Sequence, residues 1–233
     1  MRLSAESRYV ILRLPKQALC CKVNGMETNW AEENLKTIRT LMERSAIYRR
    51  ALAPIMLFVG ALGVASASVG ILCRLDSMRA FGALWLGTAV VALAGALLIA
   101  RRQALKDKEA FWSPPTRRVA QALIPPLLAG MCLGAYPVFV FTEAPAVVAL
   151  ASVLVWILFY GCALHAAGFF MPRGIKLFGW LFITSACVLF YAIMKDWMGF
   201  HYNAHWLMGF FFGFLHLAYG AYLYLTEKRK NAA

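Results

Sequence analysis

Charged side chains are scarce in this sequence of 233 residues. Asp, Glu, Lys and Arg make up 15% of it, where an ordinary globular domain has roughly 25%. Hydrophobic residues make up 61%. So little charge cannot cover so apolar an interior with a water-compatible surface. The composition therefore excludes a water-soluble protein and predicts that lipid is the main solvent.

The sequence also lacks the motifs that identify common enzymes and metal proteins. It contains no CxxC, GxSxG, HExxH or P-loop pattern, and no paired intramembrane aspartates. The neighbouring Cys20 and Cys21 do not have a zinc-site spacing, and three of the other four cysteines lie in apolar runs, so we expect no disulfide framework. We therefore expect a non-enzymatic protein without a cofactor.

Six long apolar runs dominate the chain, and no charge interrupts any of them. Each has about 20 residues or more, enough for a helix to cross a hydrocarbon core of roughly 30 Å. Helices satisfy their own backbone polar groups, as lipid requires. We predict an all-α polytopic membrane protein whose domain at 51–225 has spans at 51–72, 80–100, 119–141, 145–169, 175–194 and 205–225.

The basic residues lie at the ends of these runs. The net charge of +13 therefore does not form a basic face for nucleic acid, and we expect no nucleic-acid partner. Of the 24 Lys and Arg residues, only Arg74, Arg79 and Lys195 fall on one side of the predicted membrane. The positive-inside rule then predicts that both termini are cytoplasmic, with residues 226–233 as a basic tail.

The region before the first span divides into two parts. Residues 1–28 are predicted to be a disordered extension, and Met26 is a candidate physiological start; a basic tail that belongs to the protein is the alternative. Residues 29–50 are predicted to form a cytoplasmic amphipathic helix, because Asn29 and Glu32 have the spacing of a capping box. Its apolar stripe consists of Leu35, Ile38, Leu41, Met42 and Ala46.

The spans also show a weak internal repetition. Arg-Arg pairs precede the first and third spans, each followed by an early proline at Pro54 or Pro125. The even-numbered spans carry Trp85, Trp156 and Trp206. This pattern favours three helical hairpins from an old triplication. Convergence is the alternative, since helices that enter from the cytoplasm often begin this way.

The segments at Glu33–Arg50 and Gly213–Gly220 carry a resemblance to a known group. The run "EENLKTIRTLMERSAIYRR" and the ending "FGFLHLAYGAYLY" resemble an uncharacterised family of small bacterial inner-membrane proteins with six spans. The resemblance covers roughly residues 29–230. It implies an integral protein of the cell inner membrane and transfers no activity and no site residue.

His165 and His216 are the polar residues inside the predicted spans that most need an explanation. Ionisable residues within a membrane usually face the bundle interior and are candidates for function. With Tyr160 and Tyr219 they form a candidate intramembrane polar site. The two imidazoles could instead be axial ligands of a haem or members of a proton relay. The ordinary alternative is a neutral histidine hydrogen-bonded within the bundle.

Two further patterns occur around the last span. His201 and His205 have i,i+4 spacing, and with Asp196 they form a weak candidate metal site. An aromatic belt at the membrane surface explains the same residues equally well. Gly209 and Gly213 have the small-xxx-small spacing that lets two helices approach closely, within one chain or between two.

The amphipathic helix at 29–50 therefore leads the functional interpretation. Its apolar stripe needs a lipid surface, a second copy of the chain or a cytoplasmic protein to cover it. We expect a protein that acts through partner binding or oligomerisation, with sensing as one use. A small-molecule transporter or permease subunit is the alternative, and a haem- or quinone-binding redox protein is a second one.

Overall fold

The computed structural model describes residues 32–35, 51–108, 110–141, 146–195 and 203–232. Within these ranges the membrane domain forms six helical elements. They are α1 (Ala51–Leu72), α2 (Met78–Lys106), α3 (Pro114–Val140), α4 (Ala146–Ala167), α5 (Arg173–Met194) and α6, which consists of Ala204–Met208, Gly209–Phe214 and Leu215–Ala232 in direct succession.

All six are long and apolar enough to cross a membrane. The outside of the bundle agrees with this, because large apolar side chains such as Leu72, Phe139 and Leu177 are more than two-thirds exposed there. A monomer in water rarely exposes contiguous apolar surface on this scale. The structure therefore supports the all-helical membrane class predicted from composition.

The helix boundaries differ from the predicted spans at several ends. The first helix ends at Leu72, where the sequence predicts, whereas α2 continues to Lys106 and α3 begins at Pro114. Apolar runs mark only the part of a helix that contacts hydrocarbon, and a helix can continue into polar sequence. For the same reason the tail predicted at 226–233 continues α6 as a helix to Ala232.

The amphipathic helix predicted at 29–50 lies mostly outside the described residues. Its described part, Glu32–Leu35, is helical and exposed. The extension at 1–28, with its candidate start at Met26, lies outside them altogether.

Each helix packs against the next one along the chain, and α6 returns to α1. Ser66 Oγ on α1 lies 2.7 Å from Thr88 Oγ1 on α2, which itself donates to the Leu84 carbonyl. At the other junctions the helices touch through small or aromatic residues. These contacts are Gly82 with Val138, Gly134 with Trp156, Gly161 with Gly179, Phe182 with Phe211, and Gly63 with Phe212.

The even-numbered helices also contact one another. Helices α2 and α4 meet where the Phe81 and Trp156 rings stack, with centroids 6.1 Å apart. A hydrogen bond from Trp85 joins α2 to α6, and another from Tyr160 joins α4 to α6. The three even-numbered helices thus contact one another pairwise, α2 through its first two turns, and each odd-numbered helix contacts two of them.

Candidate functional site

His216 lies where α4, α5 and α6 meet, and its side chain is fully buried. Its Nδ1 atom is 2.9 Å from the Phe211 carbonyl oxygen, and its Nε2 atom is 2.7 Å from the Tyr160 hydroxyl. A carbonyl only accepts, so Nδ1 carries the proton, and a neutral ring then accepts the Tyr160 O–H at Nε2. Both ring nitrogens are therefore satisfied within the protein.

Aromatic rings surround this hydrogen-bonded pair. Phe178 and Phe182 of α5 lie edge-on to the His216 ring, with centroids 5.3 and 5.7 Å away. The Phe212 ring stacks on it from the same helix, with its centroid 6.1 Å away. Edge-to-face and offset packing of this kind is favourable and fills space with apolar atoms. The centre of the bundle is therefore a packed aromatic cluster with one polar pair inside it.

A π-helical turn positions His216 in this cluster. Gly209–Phe214 is wound as a π-helix, and the Leu215 N–H donates to the Phe210 carbonyl, five residues back. Such turns are rare and often mark functional sites. The next carbonyl, that of Phe211, accepts the His216 side chain. The local winding and the side-chain hydrogen bond thus occur together.

The structure does not bring His165 to His216. The His165 ring contacts Phe169 and Trp180, and none of the rings in contact with His216. Tyr160 and His165 are five residues apart on α4, so they point about 140° apart around the helix. Both histidines lie inside spans, as the sequence predicts, but their directions separate them.

Tyr219 belongs to the same side of α6 as His216 and follows it by three residues. Its ring stacks on Phe178 at 4.7 Å between centroids, and its hydroxyl lies against Gly174. Phe178 therefore contacts both Tyr219 and His216. Three of the four predicted site residues contact Phe178 or Phe182 of α5, whereas His165 lies against Gly179 and Trp180 of the same helix.

His205 forms a second buried polar centre at the opposite end of α6. Trp85 Nε1–H donates to its Nδ1 atom at 3.1 Å, so the proton is on Nε2, which donates to the Leu75 carbonyl at 3.2 Å. Its backbone N–H donates to Asn203, the N-cap of α6. This histidine fastens the start of α6 to α2 and to the turn before α2. No sequence motif indicated the Trp85 contact, because 120 residues separate the two.

The candidate metal site cannot be traced as a whole, since Asp196 and His201 lie outside the described residues. His205 is described, and both of its ring nitrogens are engaged in hydrogen bonds within the protein. Among the described residues no three His, Cys, Asp or Glu side chains come together as a metal site would need. The metal site remains a sequence prediction.

Gly209 and Gly213 both face α1. A Cβ atom on Gly213 would come within 2.8 Å of the Val64 nitrogen, and one on Gly209 would come within 2.6 Å of the Ala67 side chain. On the α1 side, Gly63 lies equally close to the backbone of Phe212. The small-xxx-small pair thus serves a contact inside one chain.

The chemistry available at the His216 centre is limited by its packing. An axial haem ligand needs a free imidazole nitrogen, and His216 uses both nitrogens in hydrogen bonds. The geometry accordingly does not favour a haem held by His165 and His216. No protein-family model, curated protein or solved structure matches the chain.

Proposed function

We propose that this chain is a non-enzymatic integral membrane protein that acts by binding a partner or a second copy of itself, with sensing as one use. The observation that supports this is the packing around His216. Its hydrogen-bonding capacity is used by Tyr160 and the Phe211 carbonyl, and aromatic rings fill the surrounding space. A centre of this kind stabilises a bundle without offering groups to a substrate.

A transporter remains the alternative proposal, with weaker support. Carriers place polar groups or unwound backbone beside a cavity at mid-membrane. The π-helical Gly209–Phe214 is an irregular segment of the required sort, but its Phe211 carbonyl is already bonded to His216. The redox alternative has no further support. It needs the imidazole nitrogens of His216, which Tyr160 and the Phe211 carbonyl already occupy.

We propose further that the protein resides in a bacterial inner membrane with both termini in the cytoplasm. The support is the distribution of Lys and Arg, of which only three fall on the other side, together with the resemblance to small bacterial inner-membrane proteins. Three hairpins, α1–α2, α3–α4 and α5–α6, belong to the same proposal. The pairwise contacts among α2, α4 and α6 support such a threefold repeat.

Labelling of Cys73 tests the orientation. This cysteine is exposed in the turn that follows α1, on the side assigned to the cell exterior. A variant that keeps Cys73 alone should react with a membrane-impermeant maleimide in spheroplasts without lysis. Labelling that requires lysis would reverse the orientation. A variant with only a cysteine substituted for Ala110, in the next turn along the chain, should show the opposite pattern.

Removal of residues 29–46 tests the mode of action. If the amphipathic segment recruits the partner or the second copy, its deletion should abolish crosslinked complexes while the bundle still accumulates in the membrane. The apolar stripe can be tested without a deletion by replacing Leu41 and Met42 with serine, and Thr40 with serine as the matched control. Unchanged crosslinking in the deletion variant would overturn this mode of action.

A further inference from the structure

A compact group of side chains lies on the outside of the bundle where α4 ends and α5 begins. We call it the turn patch; it consists of His165, Phe169, Lys176 and Trp180. His165 lies in the last turn of α4, and Phe169 lies in the turn that follows it. Lys176 and Trp180 have i,i+4 spacing on α5, so they lie on one face of that helix. A Cβ atom on Gly168 would come within 2.7 Å of the Lys176 Cα atom. This close backbone contact fixes the two pairs relative to each other.

The aromatic side chains of the turn patch hold a cation at the surface. The Lys176 ammonium lies 4.0 Å above the centre of the Phe169 ring, a favourable cation–π distance. The His165 ring lies between Phe169 and Trp180, edge-to-face with both, at 5.5 and 5.1 Å. Phe169 and Trp180 are both exposed on the outside of the bundle.

The turn patch has positive charge and polar capacity that its own helices do not satisfy. The sequence contains no Asp or Glu from Ala144 to Lys195, so the α4–α5 pair supplies no carboxylate for Lys176. In addition, His165 Nδ1 is a buried polar atom without a hydrogen-bond partner in the part of the chain that the structure describes. The Lys176 ammonium therefore calls for an acceptor from outside these two helices, whereas the His165 Nδ1 atom is covered by the protein.

The depth of the turn patch indicates which partner that is. Lys176 is three residues beyond the start of α5, or about 4.5 Å along the axis, and Trp180 is about 10 Å along it. A headgroup layer some 5–7 Å thick borders the hydrocarbon core on each side. The predicted span begins at 175, so Lys176 lies near the edge of the hydrocarbon core, where its side chain can extend to lipid phosphates. Trp180 lies about 6 Å further in.

We propose that the turn patch binds the phosphate of an anionic phospholipid. Lys176 contacts the phosphate oxygens, the face of Phe169 holds the ammonium in place, and Trp180 packs along the upper acyl chain. A zwitterionic choline lipid fits less well, because its quaternary ammonium would compete with Lys176 for the aromatic face and be repelled by it. This inference requires neither the proposed orientation nor the proposed mode of action.

Lipid retention by the full-length protein tests the inference. The purified protein in neutral detergent would be titrated with phosphatidylglycerol or phosphatidylcholine and analysed by native mass spectrometry. We expect Lys176→Gln to weaken retention of phosphatidylglycerol about fivefold, the contribution of one basic side chain near an anionic surface. Lys176→Arg should retain it, because the charge and the contact with Phe169 persist.

Lys195→Gln is the matched control, since it removes the same charge from the opposite end of α5. It should leave retention unchanged. The inference would be overturned if the Lys176 and Lys195 variants lost retention of phosphatidylglycerol equally, or if neither lost it. So would equal retention of the two lipids by the unchanged protein. Competition by inorganic phosphate at millimolar concentration would also overturn it, because the site would then belong to a soluble anion.

Discussion

Replacement of Gly63 by valine should lower the free energy of unfolding by about 3 kcal/mol, at the upper end of what overpacking a tight interface costs. A Cβ atom at Gly63 would lie 2.5 Å from the Phe212 carbonyl oxygen and 2.8 Å from the Gly213 nitrogen. These are backbone atoms and cannot rotate away as a side chain can. Helix α6 would have to move off α1, and the packing that stabilises membrane helices would be lost.

Gly87→Val provides the matched control. Gly87 also lies in a span, but a Cβ atom there would meet nothing within 4 Å. The same substitution should be neutral, or slightly stabilising, because valine favours a helix more than glycine does. Thermal unfolding in detergent would measure both variants, with Gly63→Ala as a milder form if Gly63→Val does not accumulate. Equal losses at Gly63 and Gly87 would contradict the close contact between α1 and α6.

Replacement of His216 by phenylalanine should be almost as damaging, at about 2–3 kcal/mol. The aromatic volume would remain, but the Tyr160 hydroxyl and the Phe211 carbonyl would both lose their partner in an apolar centre. An unsatisfied buried polar group costs about 1–3 kcal/mol. Tyr160→Phe should cost less, about 1 kcal/mol, since it removes a donor and leaves only one ring nitrogen unpaired.

A double-mutant cycle separates this hydrogen bond from packing. In Tyr160→Phe/His216→Phe the hydroxyl is no longer orphaned, so the combined loss should be smaller than the sum by about 0.6–1.7 kcal/mol, the range for polar pairs between membrane helices. Chemical unfolding in mixed micelles would give the four free energies. Tyr224→Phe, at an exposed position, should be neutral. Additive losses would mean that the Tyr160–His216 bond does not contribute to stability.

Much of the fold could be predicted from the sequence because lipid imposes a simple rule. Each segment must be apolar over the hydrocarbon thickness and must satisfy its own backbone, so hydropathy alone located the end of α1 at Leu72. The same rule placed His216 inside a span. The tight packing at Gly209 and Gly213 could also be predicted, because small residues at this spacing let two membrane helices approach closely.

The partners of each residue could not be predicted in the same way. His165 and His216 were grouped because both lie inside spans, which follows from position in the sequence, but contact also depends on direction around each helix. Direction is set by which helices are neighbours. The bond between Trp85 and His205 shows the difficulty, since it joins residues 120 positions apart without a motif on either side.

The sequence by itself thus determined six apolar helices and the depth of each polar side chain within them. Tertiary structure decided which way the side chains of α6 face. His205 and His216 are eleven residues apart, which in a regular α-helix puts them about 20° apart on one face. The π-helical Gly209–Phe214 between them accommodates about one extra residue, a turn of roughly 100°. His205 consequently faces Trp85 on α2, while His216 faces Tyr160 on α4. Contacts with neighbouring helices stabilise a π turn, and those contacts exist only in the folded bundle.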